Sequence, residues 1–180
     1  MAKVLISRTP DSDRPIVWTI AGSDSGGGAG VQADLATIAN LDAHGCSVIT
    51  AITAQSSVAV ASVEAVSHQM LTAQLDVLAA DLPPSAIKIG LLANQQQINL
   101  LASWLQPKLK QWNKLGVKVA VVLDPVMVAT CGDALTAGNA LDFTPLKGLL
   151  TLITPNVTEL ATLAGRQLLT AEQSIAAAQT

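Results

Sequence analysis

The chain has 180 residues, half of them hydrophobic and 13% charged, which fits a single domain of common size with one hydrophobic core. Its formal net charge of −3 and its lack of a basic cluster exclude a nucleic-acid backbone as partner, because neutralising a row of phosphates requires clustered Lys and Arg. No apolar run is long enough for a membrane span, and the isolated Cys46 and Cys131 indicate a reducing compartment, so we expect a cytoplasmic protein.

The first 15 residues read as a flexible N-terminal arm, and one domain is expected from residue 16 to residue 180. Five short apolar runs without strict polar alternation are typical of strands covered on both faces. These runs are Ile16–Ala21, Cys46–Thr53, Ala86–Ile89, Val117–Leu123 and Leu149–Thr154. Segments with helical spacing lie between and after them: Val31–Leu41, Ser67–Ala80, Asn94–Leu115, Ala134–Leu141 and Val157–Leu163. Strand alternating with helix predicts an α/β fold with a doubly wound, mostly parallel sheet flanked by helices.

Several residues predict where elements begin and end. Three glycines follow helical runs at positions where a left-handed cap is expected: Gly45, Gly116 and Gly165. Pro107 is expected to kink or end its helix. Thr170 and Gln173 match a capping box that opens a last helix. The alternating apolar residues of Ser56–Ser67 predict a small strand pair that projects from the sheet.

A polar or glycine-rich segment follows each apolar run. The segments are GSDSGGGAG (22–30), AQSS (54–57), GLLA (90–93), DPVM (124–127) and TPNVTE (154–159). In open parallel sheets, ligands bind outside the carboxyl ends of the strands. The sequence therefore predicts one ligand cavity at this edge of the sheet.

The loop 22–30 contains five glycines, so its backbone can approach a ligand closely and point N–H groups at it before the next helix begins. It lacks the Lys-Ser/Thr ending of a phosphate-binding P-loop. Gly28, Gly30 and Ala33 match part of the dinucleotide fingerprint. That fingerprint expects an acidic residue near the end of the second strand, and its absence there disfavours a dinucleotide.

Four charged or amide side chains near this edge are candidates for function. Gln55 offers the donors and the acceptor that a pyrimidine edge requires, although it could simply tie a loop. Asp34, in the first turn of its helix, could serve only the helix dipole. Asp124 ends the most hydrophobic strand, where an unpaired carboxylate is costly, and this favours a role near magnesium or phosphate. Lys88, in a strand that reads as buried, is costly unless its ammonium reaches solvent or an acidic partner such as Asp24 or Asp34.

Five segments together resemble the hydroxymethylpyrimidine kinase family, in order and approximate spacing, from about Ile16 to Ala164. They are TIAGSDSGGGAGVQADL, GCSVITAITAQSS, IKIGLLA, VVLDPVM and LITPNVTEL. The resemblance implies a ribokinase-like fold and a homodimer. It also implies phosphorylation of 4-amino-5-hydroxymethyl-2-methylpyrimidine and its monophosphate, with ATP and Mg²⁺, in thiamine biosynthesis.

The resemblance also implies roles for individual residues. Substrate-binding roles fall on Gly22, Ala29, Asp34, Gln55, Leu91 and Val126. Among these, Gln55 would pair with the ring nitrogen and amino group, and Leu91 and Val126 would form apolar walls. The magnesium and phosphate side would include Asp124, Asn156 and Glu159. On that side Asp124 is the expected catalytic residue, and Asp124 and Glu159 are the expected Mg²⁺ ligands. The spacing of Asn156 and Glu159 also fits a plain capping box, which would need no ligand.

One departure from the family concerns the segment after Glu159. Family members have a glycine-rich turn there that forms an anion hole and carries the residue near the attacking hydroxyl. We expect the chain to lack this C-terminal part of the fold, which would remove a main electrostatic contribution to phosphoryl transfer. A non-catalytic pyrimidine-binding module and a pyridoxal-type kinase therefore remain open as alternatives.

Overall fold

The computed structural model describes residues 14–127, 141–165, 167 and 170–178. Three predicted features lie wholly or mostly outside the described residues: the N-terminal arm, the helix predicted at Ala134–Leu141, and Cys131. Of the arm, Arg14 and Pro15 are described: Arg14 forms an ion pair with Asp42 at 2.7 Å, and the carbonyl of Pro15 accepts the N–H of His44 at 2.9 Å.

Within the described residues, six strands form one sheet, and the five predicted strands are all confirmed. The strands are β1 (Ile16–Asp24), β2 (His44–Gln55), β3 (Val60–Ala65), β4 (Ala86–Ile89), β5 (Ala120–Leu123) and β6 (Leu152–Ile153). Their order across the sheet is β3-β2-β1-β4-β5-β6. All neighbours pair in parallel except β2 and β3, which are antiparallel. The predicted mostly parallel sheet is therefore confirmed.

The described helices lie between and after the strands as predicted. They are α1 (Gly30–Asn40), α2 (His68–Asp81), α3 (Gln95–Lys114), α4 (Val157–Leu163), α5 (Ala171–Ala178) and a 3₁₀ helix at Thr144–Leu149. Side-chain caps open α2 and α3, where Ser67 accepts the N–H of Met70 and Asn94 accepts the N–H of Gln97. In the part of the chain that is described, none of the helices combines the length and hydropathy needed to cross a bilayer.

Alternate residues of the central strands face opposite sides of the sheet, as expected for a sheet covered on both faces. Trp18 and Ile20 of β1 are fully buried against α2 and α3, in a core that also contains Ile87 and Ile89 of β4. The intervening residue Thr19 points to the other face, where α1 packs on β1 and β2. The side chains that reach α1 therefore differ from those that build the main core.

One of the three predicted glycine caps is wrong. Gly45 does not cap α1 but lies inside β2, where an added Cβ would stand 2.7 Å from Leu35 of the helix, so its missing side chain serves the packing of α1 on the sheet. The left-handed residue after α1 is Asp42, with φ of 56°, a conformation that Asp tolerates better than most residues. The predicted left-handed conformations of Gly116 and Gly165 are confirmed.

Pro107 does not end its helix, because α3 continues through it to Lys114. A proline at this position leaves the carbonyl of Ser103 without its usual N–H partner. Ser103 is exposed, so water can solvate that carbonyl at little cost.

The segment Ser56–Ser67 contains one strand, β3, and not a separate strand pair. Its partner is the second half of β2, with Ala51 opposite Ala65 and Gln55 opposite Val60. The prediction failed because β2 is longer than its apolar run and itself supplies the second strand.

Candidate functional site

A cavity of about 270 Å³ lies at the carboxyl ends of β1, β2, β4 and β5. Its lining residues are Ala21, Gly22, Ser23, Asp24, Ala29, Gly30, Ala33, Asp34, Thr53, Gln55, Lys88, Leu91, Asp124 and Val126. All six residues predicted to bind the substrate are among them, together with Asp124. The carboxyl edge of the sheet thus brings these residues to one place, as the strand order requires.

The glycine loop is folded around the carboxylate of Asp24, which is 6% exposed. Its Oδ1 accepts the N–H of Gly26 at 2.8 Å, and its Oδ2 accepts the N–H groups of Gly28 and Ala29 at 3.0 and 2.9 Å. The expectation that the loop points its N–H groups at a ligand is therefore wrong for these three, which a carboxylate of the chain itself already engages. Asp24 was missed as an organising residue, although an acidic residue just before a glycine run is the signal of such a turn.

The loop is also tied to the end of β2. The hydroxyl of Ser25 donates to the carbonyl of Gln55 at 2.7 Å and accepts the N–H of Gln55 at 2.8 Å. Gln32 of α1 accepts the N–H of Asp24 at 2.9 Å and donates to the Ser23 hydroxyl at 2.8 Å. These bonds fix the loop relative to both neighbouring strands, so the cavity wall that it forms is ordered in advance of a ligand.

The amide of Gln55 is half-buried and lines the cavity. Within the described residues, its side chain makes one long contact, in which the Thr53 hydroxyl donates to Oε1 at 3.4 Å. The backbone of Gln55, and not its amide, ties the loop. The amide therefore keeps both donors and most of its acceptor capacity for a ligand.

Apolar side chains form the opposite wall. Leu91 is 7% exposed and packs with Ala51 and Ala93, with Val126 partly buried against them. A Cβ at Gly22 would stand 2.8 Å from Cδ2 of Leu91, so the end of β1 has room for this leucine only because residue 22 is glycine. This apolar wall and the polar Gln55 line the same cavity, a combination that suits an aromatic ring with a polar edge.

Three of the four charged side chains that line the cavity, Lys88, Asp34 and Asp124, form a network. The Nζ of Lys88 lies 3.1 and 3.0 Å from Oδ1 and Oδ2 of Asp34 and 3.6 Å from Oδ2 of Asp124. Asp34 also accepts the Thr19 hydroxyl at 2.5 Å. Pairing of Lys88 with Asp34 was one of the predicted options, and pairing with Asp24 is wrong because Asp24 is turned into its own loop. Asp34 lies in the second turn of α1 and not the first, which is too far along the helix for its N-terminal dipole to be the main role.

Asn156 and Glu159 form a reciprocal capping box at the start of α4. The Asn156 side chain accepts the N–H of Glu159, and Oε2 of Glu159 accepts the N–H of Asn156, both at 2.9 Å. Neither residue lines the cavity. No group of three or more His, Cys, Asp or Glu that could hold a metal ion occurs among the residues described. The predicted magnesium and phosphate roles of the pair remain predictions.

Comparison with known protein families gives a match over residues 24–180 to the model described as phosphomethylpyrimidine kinase. A hydroxymethylpyrimidine/phosphomethylpyrimidine kinase of Rhizobium meliloti is 44% identical over 153 residues, which cover 84% of this chain and 54% of that protein. The chain thus spans little more than half the length of that curated relative.

Two solved structures extend the likeness to the fold. The phosphomethylpyrimidine kinase of Clostridium difficile has a TM-score of 0.77 and 34% identity, covering 92% of this chain and 69% of that one. The pyridoxal kinase of Staphylococcus aureus in complex with AMP-PCP has a TM-score of 0.70 and 28% identity, covering 92% of this chain and 58% of that one. The predicted ribokinase-like fold is confirmed.

Proposed function

The chain belongs to the phosphomethylpyrimidine kinase family, and from that premise we propose that it binds 4-amino-5-hydroxymethyl-2-methylpyrimidine and takes part in its ATP-dependent phosphorylation. The second substrate is the resulting monophosphate, and the pathway is thiamine biosynthesis. The proposal includes the homodimer that the family resemblance implies and the cytoplasmic location expected from the sequence, and size-exclusion chromatography with light scattering tests the dimer.

The observation that supports this function best is the polar and apolar division of the cavity. The half-buried Gln55 amide presents two donors and an acceptor beside the apolar wall of Leu91 and Val126. A small aminopyrimidine has a hydrogen-bonding edge and two apolar faces, so its edge can pair with the amide while a face lies on the wall. These residues would hold the ring, and the wall would exclude water from that side of it.

ATP and Mg²⁺ are proposed as cofactors. The pyridoxal kinase with a similar fold is known in complex with AMP-PCP, which supports a nucleotide of this kind. The donor set fits magnesium, because Mg²⁺ is usually held by one or two carboxylates together with waters and substrate phosphates. Asp124, whose side chain is 37% exposed, can supply such a carboxylate. Glu159 would have to contribute through Oε1, since Oε2 is engaged in the helix cap. Bound Mg²⁺ would neutralise charge on the phosphates.

The test combines ligand binding with turnover. Gln55→Leu should weaken hydroxymethylpyrimidine binding by about 1–3 kcal/mol, since the polar edge of the ligand loses its partner. Isothermal titration calorimetry measures the dissociation constant, and Gln106→Leu, a matched change at an exposed position of α3, should leave it unaltered. An unchanged dissociation constant in Gln55→Leu would refute the pocket assignment.

A coupled assay for ADP, with hydroxymethylpyrimidine, ATP and Mg²⁺, tests the reaction itself. Binding without turnover would favour the non-catalytic pyrimidine-binding module. The likeness to pyridoxal kinase makes pyridoxal the competing substrate. Stronger binding of pyridoxal than of hydroxymethylpyrimidine in a competition titration would favour a pyridoxal-type kinase.

A further inference from the structure

Lys88 is a charged residue in the middle of the sheet. It lies on β4, with Thr19 of β1 on one side and Val122 of β5 on the other. Central strands of parallel sheets are usually apolar, because both faces are covered. The side chain of Lys88 is 28% exposed, and its ammonium reaches the cavity. A lysine at this position has a cost in desolvation that a function in the cavity would explain.

The ammonium of Lys88 is held firmly on one side and loosely on the other. It contacts both oxygens of Asp34 at 3.0–3.1 Å, and Asp34 is itself fixed by the Thr19 hydroxyl. Its distance to Asp124, at 3.6 Å, is beyond a good hydrogen bond. An ammonium has three donors, so at least one of them is available to a better acceptor without any loss of the Asp34 contacts.

The backbone beside Lys88 leaves room for this position. A Cβ at Gly90 would stand 2.9 Å from Nζ and 3.6 Å from Cε of Lys88. The lysine side chain therefore runs along the surface that a larger residue 90 would occupy. The ammonium is placed over the end of β4, between the carboxylate of Asp34 within α1 and that of Asp124 just after β5.

The charge of the cavity makes this ammonium important for an anionic ligand. Among the described residues that line the cavity are three aspartates and a single cation, Lys88. Asp24 is already satisfied by loop N–H groups, which leaves Asp34 and Asp124 to repel an anion. A neutral hydroxymethylpyrimidine carries no net charge for these carboxylates to repel, whereas a phosphate ester is repelled by them unless a cation binds its phosphate.

We propose that Lys88 is the specificity residue that admits the phosphorylated pyrimidine, by exchanging its long contact with Asp124 for a charge-assisted hydrogen bond to the phosphate while Asp34 holds it in place. The inference rests on the proposed function and names the residue that separates its two substrates. The strand order supports it: with the ring at Gln55 on β2, the substituent extends across β1 towards β4 and β5, where Lys88 and Asp124 lie.

The test is the dissociation constant for phosphomethylpyrimidine divided by that for hydroxymethylpyrimidine, measured in the same variant. Titration calorimetry of the 180-residue chain measures binding of hydroxymethylpyrimidine and of phosphomethylpyrimidine. In Lys88→Met, which keeps the length of the side chain without its charge, binding of the phosphate ester should weaken by about tenfold or more relative to the alcohol. In Lys88→Arg the ratio of the two dissociation constants should stay close to the wild-type value. In Lys110→Met, a charge loss on the exposed face of α3, it should equal the wild-type value.

A double variant separates direct contact from overall charge. Lys88→Met combined with Asp34→Asn has the same net charge as the wild-type protein and leaves no carboxylate at position 34 without its partner. If Lys88 binds the phosphate, the double variant should still bind the phosphate ester more weakly, relative to the alcohol, than the wild-type protein does. If the ratio returns to the wild-type value, only the overall charge matters and the proposal is overturned. The double variant also serves if the single variant does not fold.

The remaining outcomes distinguish this inference from the function on which it rests. Wild-type protein that binds neither pyrimidine would refute both. Wild-type protein that binds both ligands, with an unchanged ratio in Lys88→Met, would refute the role of Lys88 alone. Equal weakening of both ligands in Lys88→Met would likewise assign Lys88 to the structure of the cavity and overturn its role in discrimination.

Discussion

Replacing Asp24 with Asn should loosen the glycine loop and destabilise the protein by about 1.5–3 kcal/mol. The carboxylate accepts three loop N–H groups, two of them through Oδ2. Asn keeps a carbonyl oxygen that can still accept from Gly28 and Ala29, but it loses the charge and the bond to Gly26. The net loss is close to one hydrogen bond to a charged group, worth about 1.5–3 kcal/mol. Gly26 is exposed, so water can take its N–H, and this keeps the loss towards the lower end.

Urea unfolding measures the change in the free energy of unfolding, and amide hydrogen exchange at the loop shows where it arises. Asp42→Asn is the matched control. It is the same chemical change at an exposed side chain, in a left-handed conformation that Asn also tolerates, and should cost less than about 1 kcal/mol. The reasoning would be refuted if Asp24→Asn changed stability by no more than Asp42→Asn and left exchange in the loop unaltered.

Two further predictions concern buried polar groups away from the ligand. Gln97 is fully buried, accepts the N–H of Ala93 and donates to the carbonyls of Thr50 and Val66, so Gln97→Leu should lower the free energy of unfolding by about 2–4 kcal/mol. Urea unfolding checks this against Gln106→Leu on the same helix, and equal effects would contradict it. Burial, with a smaller effect of the nearby Asp81, raises the pKa of the Cys46 thiol. Cys46 should therefore resist alkylation at pH 8 in the folded protein and react in urea, as peptide mass spectrometry would show, whereas fast reaction of the folded protein would count against this explanation.

The fold could be predicted largely from the sequence because the apolar runs of the central strands reflect burial on both faces, although β6, with Leu152 and Ile153 exposed, is not covered in this way. The failures share a cause. Gly45 was assigned to a helix cap, yet it is glycine because Leu35 packs over it. Of the two options for Pro107, a kink or the end of α3, the end is wrong, and the residue whose carbonyl loses its N–H partner is exposed. In each case the deciding contact is with solvent or with a residue on another element, which local patterns do not contain.

For the candidate site, chain order predicted most of the residues that meet, but the segment 154–159, expected at the same edge, does not line the cavity. The rule that ligands bind at the carboxyl edge of a parallel sheet was enough to place Gln55, Leu91 and Asp124 together. It gave no sign that the glycine loop would fold around Asp24, or that Lys88 would lie between two carboxylates. Those arrangements depend on side-chain directions, which change face with every residue of a strand and are fixed only when the strands are in register.

The two walls of the cavity are supported by separate sets of hydrogen bonds. On the polar side, Ser25 joins the glycine loop to the backbone of Gln55. On the apolar side, the Thr50 hydroxyl donates to the carbonyl of Leu91 at 2.6 Å, and the buried Gln97 bonds to the carbonyl of Thr50 at 2.8 Å. A change at Gln97 would therefore remove support from the apolar wall directly, whereas the bonds between Ser25 and Gln55 do not involve it. In the proposed binding mode the ring face and the ring edge would contact different walls, so substitutions at the supporting hydrogen bonds should affect the two contacts unequally.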